Sequence, residues 1–170
     1  MEPTPVLTGA TVRLVPIRPE DREALYAVAR DPLIWELHPA RDRWQRPQFE
    51  AYFDRWYLNS GGMRIEARAT GDVIGASCYS TEFARPGEIE IGWTFLRRDH
   101  WGGSTNAEVK ALMIGHALTR VERVIFRVAA TNLRSRRALE KIGATLTDRE
   151  ESIDMNGVAV PHLVYAVEAQ

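Results

Sequence analysis

The sequence is short of three things: cysteine, long apolar runs and an excess of charge of either sign. Cys78 is the only cysteine among 170 residues, which excludes an intramolecular disulfide. The longest apolar stretch lies within 111–118 and is interrupted by Gly115 and His116. It is far shorter than the roughly 20 residues that a membrane-spanning helix needs. The opening MEPTPVLTG lacks the basic and apolar regions of a signal peptide, so we expect a cytoplasmic protein.

The chain carries 22 basic and 23 acidic residues, for a formal net charge of −1. This balance gives no electrostatic basis for binding nucleic acid or an anionic membrane, and it favours a small-molecule or protein partner. A hydrophobic content of 45% suits one globular domain over residues 1–170 with a substantial core. The histidines show no metal-ligand spacing with Cys78 or with one another, so no metal is predicted. They are His38, His100, His116 and His162.

Hydrophobic periodicity predicts strands and helices that alternate along the chain. Strands are predicted at 11–17, 63–70, 72–83, 88–96 and 123–129, with two more within 145–168 around a turn at Asn156-Gly157. Helices are predicted from Pro19 to Asp31, over 47–58, after the glycines at 102–103, and from a cap at Asn132 to Gly143. This order indicates an α/β sheet of mixed direction with helices on both faces.

The stretch HWGGSTNAE, residues 100–108, leads directly into an apolar helix pattern. A helix N-terminus presents unpaired N–H groups and partial positive charge, and glycines let an anion such as phosphate approach it. The stretch fits neither a Walker A loop nor a dinucleotide-binding fingerprint. The alternative is that Ser104, Thr105 or Asn106 simply caps a core helix, with Glu108 favourable in its first turn. The loop alone leaves both interpretations open.

Motifs over the run 88–144 resemble the GNAT superfamily of N-acetyltransferases, in the branch of the Rim-type ribosomal-protein-alanine acetyltransferases. The matching residues are Glu90-Ile91-Gly92-Trp93, Trp101-Gly102, Asn106, Glu108, Lys110, Asn132, Ser135 and Lys141-Ile142-Gly143. The N-terminal stretch 7–25 also resembles that branch, so the similarity covers nearly the whole chain. The resemblance implies a mixed, mostly antiparallel sheet that splays open between its fourth and fifth strands, here 88–96 and 123–130.

The resemblance also implies acetyl-CoA as cosubstrate, lying in the opening of the sheet. Its pyrophosphate is expected on backbone N–H groups of residues 102–106, and its pantetheine arm along the strand edge near 93–97. The expected cofactor-binding residues are Trp93, Phe95, Arg97, Arg98, Trp101, Gly102, Gly103, Ser104, Thr105, Asn106, Asn132 and Arg137. Ser104 stands where relatives usually have glycine, and its Cβ narrows the loop unless the backbone there is in an ordinary region.

The chemistry requires a neutral amine, a base, an oxyanion stabiliser and an acid for the departing thiolate. Glu88 and Glu90 share one face of a strand, and either carboxylate could take the proton of the amine, with Glu90 preferred. Many GNAT enzymes use a tyrosine as the acid, but that position is Leu139 here. By similarity to Rim-type relatives the predicted acid is Ser135, whose alternative role is a hydrogen bond at the start of the helix. A backbone N–H near 93–95 is expected to meet the oxyanion.

The aromatic segment 35–57 is where the resemblance places the choice of acceptor. Trp35, His38 and Trp44 are the predicted substrate-binding residues, with a local packing cluster as the alternative. Phe53 and Trp56 are assigned to the core. The predicted activity is transfer of acetyl from acetyl-CoA to a primary amine of a protein N-terminus or small molecule. A CoA-binding or sensing module without turnover is the second class, and the branch often forms homodimers.

Overall fold

The computed structural model describes residues 4–155 and 157–170. Its strands are β1 (Leu7–Thr8), β2 (Val12–Pro16), β3 (Gly61–Ala67), β4 (Val73–Ser80), β5 (Glu88–Leu96), β6 (Arg123–Ala129), β7 (Thr145–Met155) and β8 (Val158–Glu168). Its α-helices are α1 (Arg22–Ala29), α2 (Arg46–Tyr52), α3 (Thr105–Ala117) and α4 (Leu133–Lys141). A π-helical segment, Phe53–Leu58, continues α2, and short 3-10 turns lie at Pro19–Asp21, Pro32–Ile34 and Arg98–His100.

The strands form one open sheet in the order β1-β2-β3-β4-β5-β6-β8-β7. Neighbouring strands are antiparallel throughout this order, except that β5 and β6 run parallel. The predicted mixed, mostly antiparallel sheet with helices on both faces is therefore confirmed. The two strands expected to separate are fifth and sixth in the chain, because the short β1 was not predicted.

Two apolar cores lie on opposite faces of the sheet. On one face Val109 and Met113 of α3 and Leu139 of α4 pack against the strands. On the other face Leu25 of α1 and Phe49 of α2 pack against the sheet and the π-helical segment. Burying a side chain of this size stabilises the fold by about 1.5–3 kcal/mol, so both helical layers are held firmly on the sheet.

Local sequence signals account for several boundaries. The Asn132 side chain accepts a hydrogen bond from the Ser135 N–H at 3.3 Å and caps α4, as predicted. Gly143 follows α4 with φ of +85°, and Gly71 turns between β3 and β4 with φ of +77°. Gly157 joins β7 to β8 with φ of +81°. Asn156, the other half of the predicted turn, lies outside the described residues.

The predicted helix over 47–58 differs from the observed one in its second half. The α-helix begins at Arg46 and gives way to the π-helical segment at Phe53. This segment brings Tyr57 under the sheet, where its hydroxyl donates to the Trp93 carbonyl oxygen at 2.5 Å. In the described part of the chain, no helix is long and apolar enough to cross a membrane.

Candidate active site

The sheet opens between β5 and β6. The two strands are paired at three positions, Glu88 with Arg123, Ile89 with Val124 and Glu90 with Ile125. Both strands then continue, β5 to Leu96 and β6 to Ala129, without further pairing to each other among the described residues. Past Glu90, β5 keeps β4 on one side. We call the opening on its other side the β5–β6 gap.

A β-bulge shapes β5 where it borders this gap. Gly92 pairs with Cys78 and Phe95 with Ala76, so β5 has one residue more than β4 in this interval. Trp93 lies in the interval with φ of +53°, the only non-glycine residue with positive φ in the described chain. Such a conformation costs of the order of 1–3 kcal/mol. The hydrogen bond from the Tyr57 hydroxyl to the Trp93 carbonyl oxygen stabilises this conformation of Trp93. The local sequence did not predict the positive φ.

The glycine-rich loop leads to the N-terminus of α3 at one end of the gap. Gly102 has φ of +75°, and no heavy atom lies within 4 Å of where a Cβ on Gly102 or Gly103 would be. Ser104 occupies the N-cap position of α3, but its side chain makes no capping hydrogen bond. Of the three residues named as possible caps, Ser104 thus holds the position without the side-chain hydrogen bond. Its φ of −93° is ordinary, so its Cβ does not force the loop out of shape.

Contacts around the loop fix its position. The Trp101 indole N–H donates to the Leu96 carbonyl oxygen at 2.9 Å. The Arg134 guanidinium of α4 lies 4.1 Å from the centre of the Trp101 ring. Glu108 accepts a hydrogen bond from the Thr11 N–H at 2.8 Å, which ties α3 to the start of β2. The first turn of α4 therefore lies against the same loop as the first turn of α3.

Most of the predicted cofactor-binding side chains on the β5 end of the loop already have protein partners. Phe95 is buried in the core, Arg97 pairs with Asp99 at 2.8 Å, and Arg98 pairs with Asp31 at 2.5 Å. Because these three side chains are buried or paired, the backbone of this stretch is the part that faces the gap. Gly102, Gly103, Ser104 and Arg137 are exposed, Thr105 and Asn106 are half-buried, and Asn132 is buried.

The two strand carboxylates differ sharply in environment. Glu90 is 2% exposed, its Oε1 accepts from the Arg127 Nε–H at 2.8 Å, and its buried Oε2 has no partner among the described residues. Burial raises the pKa of Glu90 above its ordinary value, against the opposing effect of Arg127. Glu88 accepts from Arg149 at 3.0 Å and from the Arg85 N–H at 3.0 Å. These hydrogen bonds outweigh burial and hold the pKa of Glu88 below its ordinary value.

Arg127 connects Glu90 to a surface beside the gap. Its Nη1 lies 3.3 Å from the Glu151 carboxylate, and its guanidinium lies 3.9 Å from the centre of the Phe83 ring. Phe83, Arg127 and Glu151 line an open pocket together with residues 152–154. Sequence reasoning missed Arg127, because its partners come from strands that are distant along the chain.

The predicted acceptor-binding residues are split between core and surface. Trp35 is 3% exposed and its indole N–H donates to the Ala29 carbonyl oxygen at 2.8 Å, which fits the packing alternative. His38 is half-buried and accepts from the Ala40 N–H at 3.0 Å, and Trp44 is 37% exposed. These acceptor-binding roles remain predictions.

Trp56, which the sequence assigns to the core, is only half-buried. Its ring stacks on Trp93 with the centroids 4.1 Å apart, and it also lies 6.2 Å from the ring of Phe83. An aromatic surface made by Trp56, Trp93 and Phe83 therefore borders the bulge. Sequence periodicity missed it, because it depends on the unusual backbone of Trp93.

An opened sheet beside a glycine-rich helix N-terminus is the arrangement that the similarity to N-acetyltransferases predicted. The acetyltransferase (GNAT) domain family matches residues 11–145. The chain therefore belongs to the GNAT acetyltransferase family, and membership implies acetyl transfer.

Solved structures of the same family share the fold. A GCN5-related N-acetyltransferase from Brucella melitensis has a TM-score of 0.81 and 19% identity, over 96% of this chain and 78% of that one. A provisionally assigned acetyltransferase from T. thermophilus has a TM-score of 0.73 and 26% identity, over 99% and 92%. A provisionally assigned ribosomal-protein-serine acetyltransferase from Vibrio cholerae has a TM-score of 0.79 and 15% identity, over 99% and 100%. No curated protein sequence matches the chain.

Proposed function

We propose that this protein transfers the acetyl group of acetyl-CoA to a primary amine, by direct attack of the amine within a ternary complex. The observation that carries the proposal is the β5–β6 gap, where β5 leads through the glycine-rich loop to an α3 N-terminus without a side-chain capping bond. Together they provide an open strand edge for the extended arm of acetyl-CoA and partial positive charge for its phosphates.

The donor would be held mainly by backbone groups. The pyrophosphate would lie on N–H groups of residues 102–106, where two glycines without nearby atoms allow close approach. The pantetheine amides would pair with the free edge of β5 over 93–97, as an added strand pairs with a sheet. Trp101, Asn132 and Arg137 would lie around this path.

Glu90 is the carboxylate best suited to take the proton of the amine. Its Oε2 has no partner, and its raised pKa makes it a better proton acceptor than Glu88, whose charge is stabilised by two basic groups. An α-amine, with a pKa near 7.7–8.0, is partly neutral at pH 7, whereas a lysine amine near 10.4 is not. A carboxylate base therefore favours an α-amine acceptor, of a protein N-terminus or of a small molecule. The Vibrio cholerae neighbour carries the name of a ribosomal-protein-serine acetyltransferase, which makes a protein one of the acceptors to test.

The bulge would supply the oxyanion site. A bulge redirects backbone groups relative to a regular strand, so the N–H groups over 93–95 are the proposed donors to the thioester oxygen. Ser135 remains the predicted acid for the thiolate. Its backbone N–H forms the Asn132 cap.

A thermal-shift titration with acetyl-CoA, against ATP and NAD as controls, tests the donor. Ligand at 100 times its Kd should add about 2.7 kcal/mol to the free energy of unfolding, and only acetyl-CoA should do so. Thiol release would then be measured with a panel of α-amines and ε-amines. No shift with millimolar acetyl-CoA would contradict the proposal. A shift without thiol release for any amine would instead favour a CoA-sensing module.

A further inference from the structure

Lys110 is a buried lysine in the second turn of α3, one of two lysines in a chain with twenty arginines. It is 6% exposed, and its Nζ donates to the Thr94 hydroxyl at 2.6 Å. The same Nζ lies 5.8 Å from the centre of the Phe126 ring. Lysine is rarely buried in proteins unless it is paired, so the burial of Lys110 requires a physical explanation.

The amine lies where β5 and β6 separate. Thr94 belongs to β5 and follows the last paired residue of that strand, Glu90, by four positions. Phe126 belongs to β6 and comes directly after Ile125, the last paired residue there. Lys110 therefore contacts both walls of the β5–β6 gap from the α3 side.

No carboxylate balances this charge among the described residues. The groups that face Nζ are the Thr94 hydroxyl, which in turn bonds the Ser77 hydroxyl at 2.8 Å, and the Phe126 ring. Burial alone lowers the pKa of Lys110 to about 7. An ammonium has three N–H donors, and Thr94 is its only hydrogen-bond acceptor within the described chain. An isolated buried cation destabilises a fold, so a structural role alone does not explain it.

Lys110 and Glu90 lie on opposite faces of the sheet. Phe126, near Lys110, packs with α3, whereas its neighbour Arg127 holds the Glu90 carboxylate. Adjacent strand residues point to opposite faces, so the gap has an amine on its α3 face and a carboxylate on its other face.

We propose that Lys110 is the general acid of the acetyl transfer, in place of Ser135; this inference rests on the function proposed above. The acceptor nitrogen forms a bond to the thioester carbonyl carbon, the C–S bond breaks and its electron pair goes to sulfur. Lys110 gives a proton to that sulfur, producing the CoA thiol. Glu90 takes the proton that the amine nitrogen loses, and solvent restores both side chains. An ammonium that titrates near neutral pH is a much stronger acid than a serine hydroxyl.

The test compares Lys110→Met with Lys141→Met, which removes the other, exposed lysine. Methionine keeps an unbranched apolar stem in the core. The thiol of bound CoA is titrated by its thiolate absorbance. A neighbouring ammonium favours the thiolate, so the bound thiol should have a higher pKa in Lys110→Met than in the other two proteins. kcat should fall by about 10²-fold or more in Lys110→Met alone, with little change in the Kd of CoA.

Lysine ¹³Cε NMR of the wild type gives a second readout that does not depend on the folding of Lys110→Met. Two lysines give two resonances, which Lys141→Met assigns. The Lys110 resonance should titrate near neutral pH and shift when CoA binds. An unmoved Lys110 resonance, an unchanged titration of the bound thiol in Lys110→Met, or acetylation of Lys110 itself would overturn the acid role. If wild-type protein does not bind CoA at all, the proposed function fails as well; if it binds and Lys110→Met turns over normally, only the acid role fails.

Discussion

At the scale of single residues, the candidate site contains three buried polar groups: the Glu90 carboxylate, the Lys110 amine and the Arg127 guanidinium. Arg127 donates a hydrogen bond to Glu90 Oε1, but Glu90 Oε2 has no hydrogen-bond partner among the described residues. The Lys110 amine donates to the Thr94 hydroxyl and has no carboxylate partner among the described residues. Burial raises the pKa of Glu90 and lowers that of Lys110, and groups shifted in this way cluster at functional sites.

Replacing Glu90 by glutamine should lower kcat by about 10²-fold or more, because the amide cannot take the proton of the amine. In the wild type, kcat should rise with pH as Glu90 loses its proton at its raised pKa, and this rise should be absent in Glu90→Gln. A pH series of thiol-release rates measures both effects. If Glu88→Gln lowers kcat more than Glu90→Gln does, the base has been assigned to the wrong carboxylate.

Lys110 should also make stability depend on pH. Its pKa is about 7 when folded and about 10.4 when unfolded, so between these values the unfolded chain binds the additional proton. The free energy of unfolding should therefore rise with pH above about 7, by up to about 2–3 kcal/mol between pH 7 and 9. Below pH 7 both states are charged and this contribution is constant.

Urea unfolding of wild type, Lys110→Met and Lys141→Met at pH 7 and 9 measures this contribution. Lys110→Met should be the more stable protein at pH 7, and the difference should narrow at pH 9. Equal pH dependence in the wild type and Lys110→Met would show that the amine is not destabilised by burial.

At the scale of elements, the start of α3 combines a glycine-rich loop with an N-cap residue that makes no side-chain capping hydrogen bond; α1 and α2 also lack such a bond, so the loop is what distinguishes α3. Ser104 has the position of a cap residue, but its backbone is in the helical region and its side chain makes no capping hydrogen bond. The orphan N–H groups of a helix are satisfied by caps, water or ligands. An anion bound at the loop would therefore satisfy N–H groups that the Ser104 side chain does not.

Ser104→Asp should add a cap and stabilise the ligand-free protein by about 0.5–1 kcal/mol. The same carboxylate should repel the pyrophosphate and weaken acetyl-CoA binding by about 10-fold or more, since each 1.4 kcal/mol is tenfold in affinity. Thermal unfolding and calorimetric binding, with Ser104→Ala as the neutral comparison, would measure both. Unchanged acetyl-CoA affinity in Ser104→Asp would place the phosphates elsewhere.

At the scale of the whole molecule, the two faces of the sheet carry different chemical groups beside the β5–β6 gap. The α3 face presents the loop and Lys110, and the opposite face presents Glu90 and the aromatic surface of Trp56, Trp93 and Phe83. This arrangement suits direct transfer through the β5–β6 gap. It does not suit an acyl-enzyme on Cys78, which is buried and whose thiol has its pKa raised by burial to about 12.

Initial rates with both substrates varied should therefore give intersecting double-reciprocal lines, not the parallel lines of a ping-pong reaction. Cys78→Ala should keep its rate of thiol release, although the lost packing costs some stability. Parallel lines, or an acetylated cysteine in a peptide map after acetyl-CoA treatment without acceptor, would contradict direct transfer.

The sequence alone determined most of the elements, the family and the glycine-rich loop, since periodicity, caps and turns are local properties; the short β1 and the π-helical segment Phe53–Leu58 were not predicted. Asn132 and Gly143 marked the two ends of α4 that the structure confirms, whereas Pro19 begins a 3-10 turn and α1 starts at Arg22. Only the tertiary structure showed that Trp93 is strained, that Trp35 is buried and that Glu90 differs from Glu88. It also brought Arg127 to Glu90 and Lys110 to the gap. Each of these depends on partners from distant strands and helices, and burial and charge pairing cannot be read from the spacing of residues along a chain.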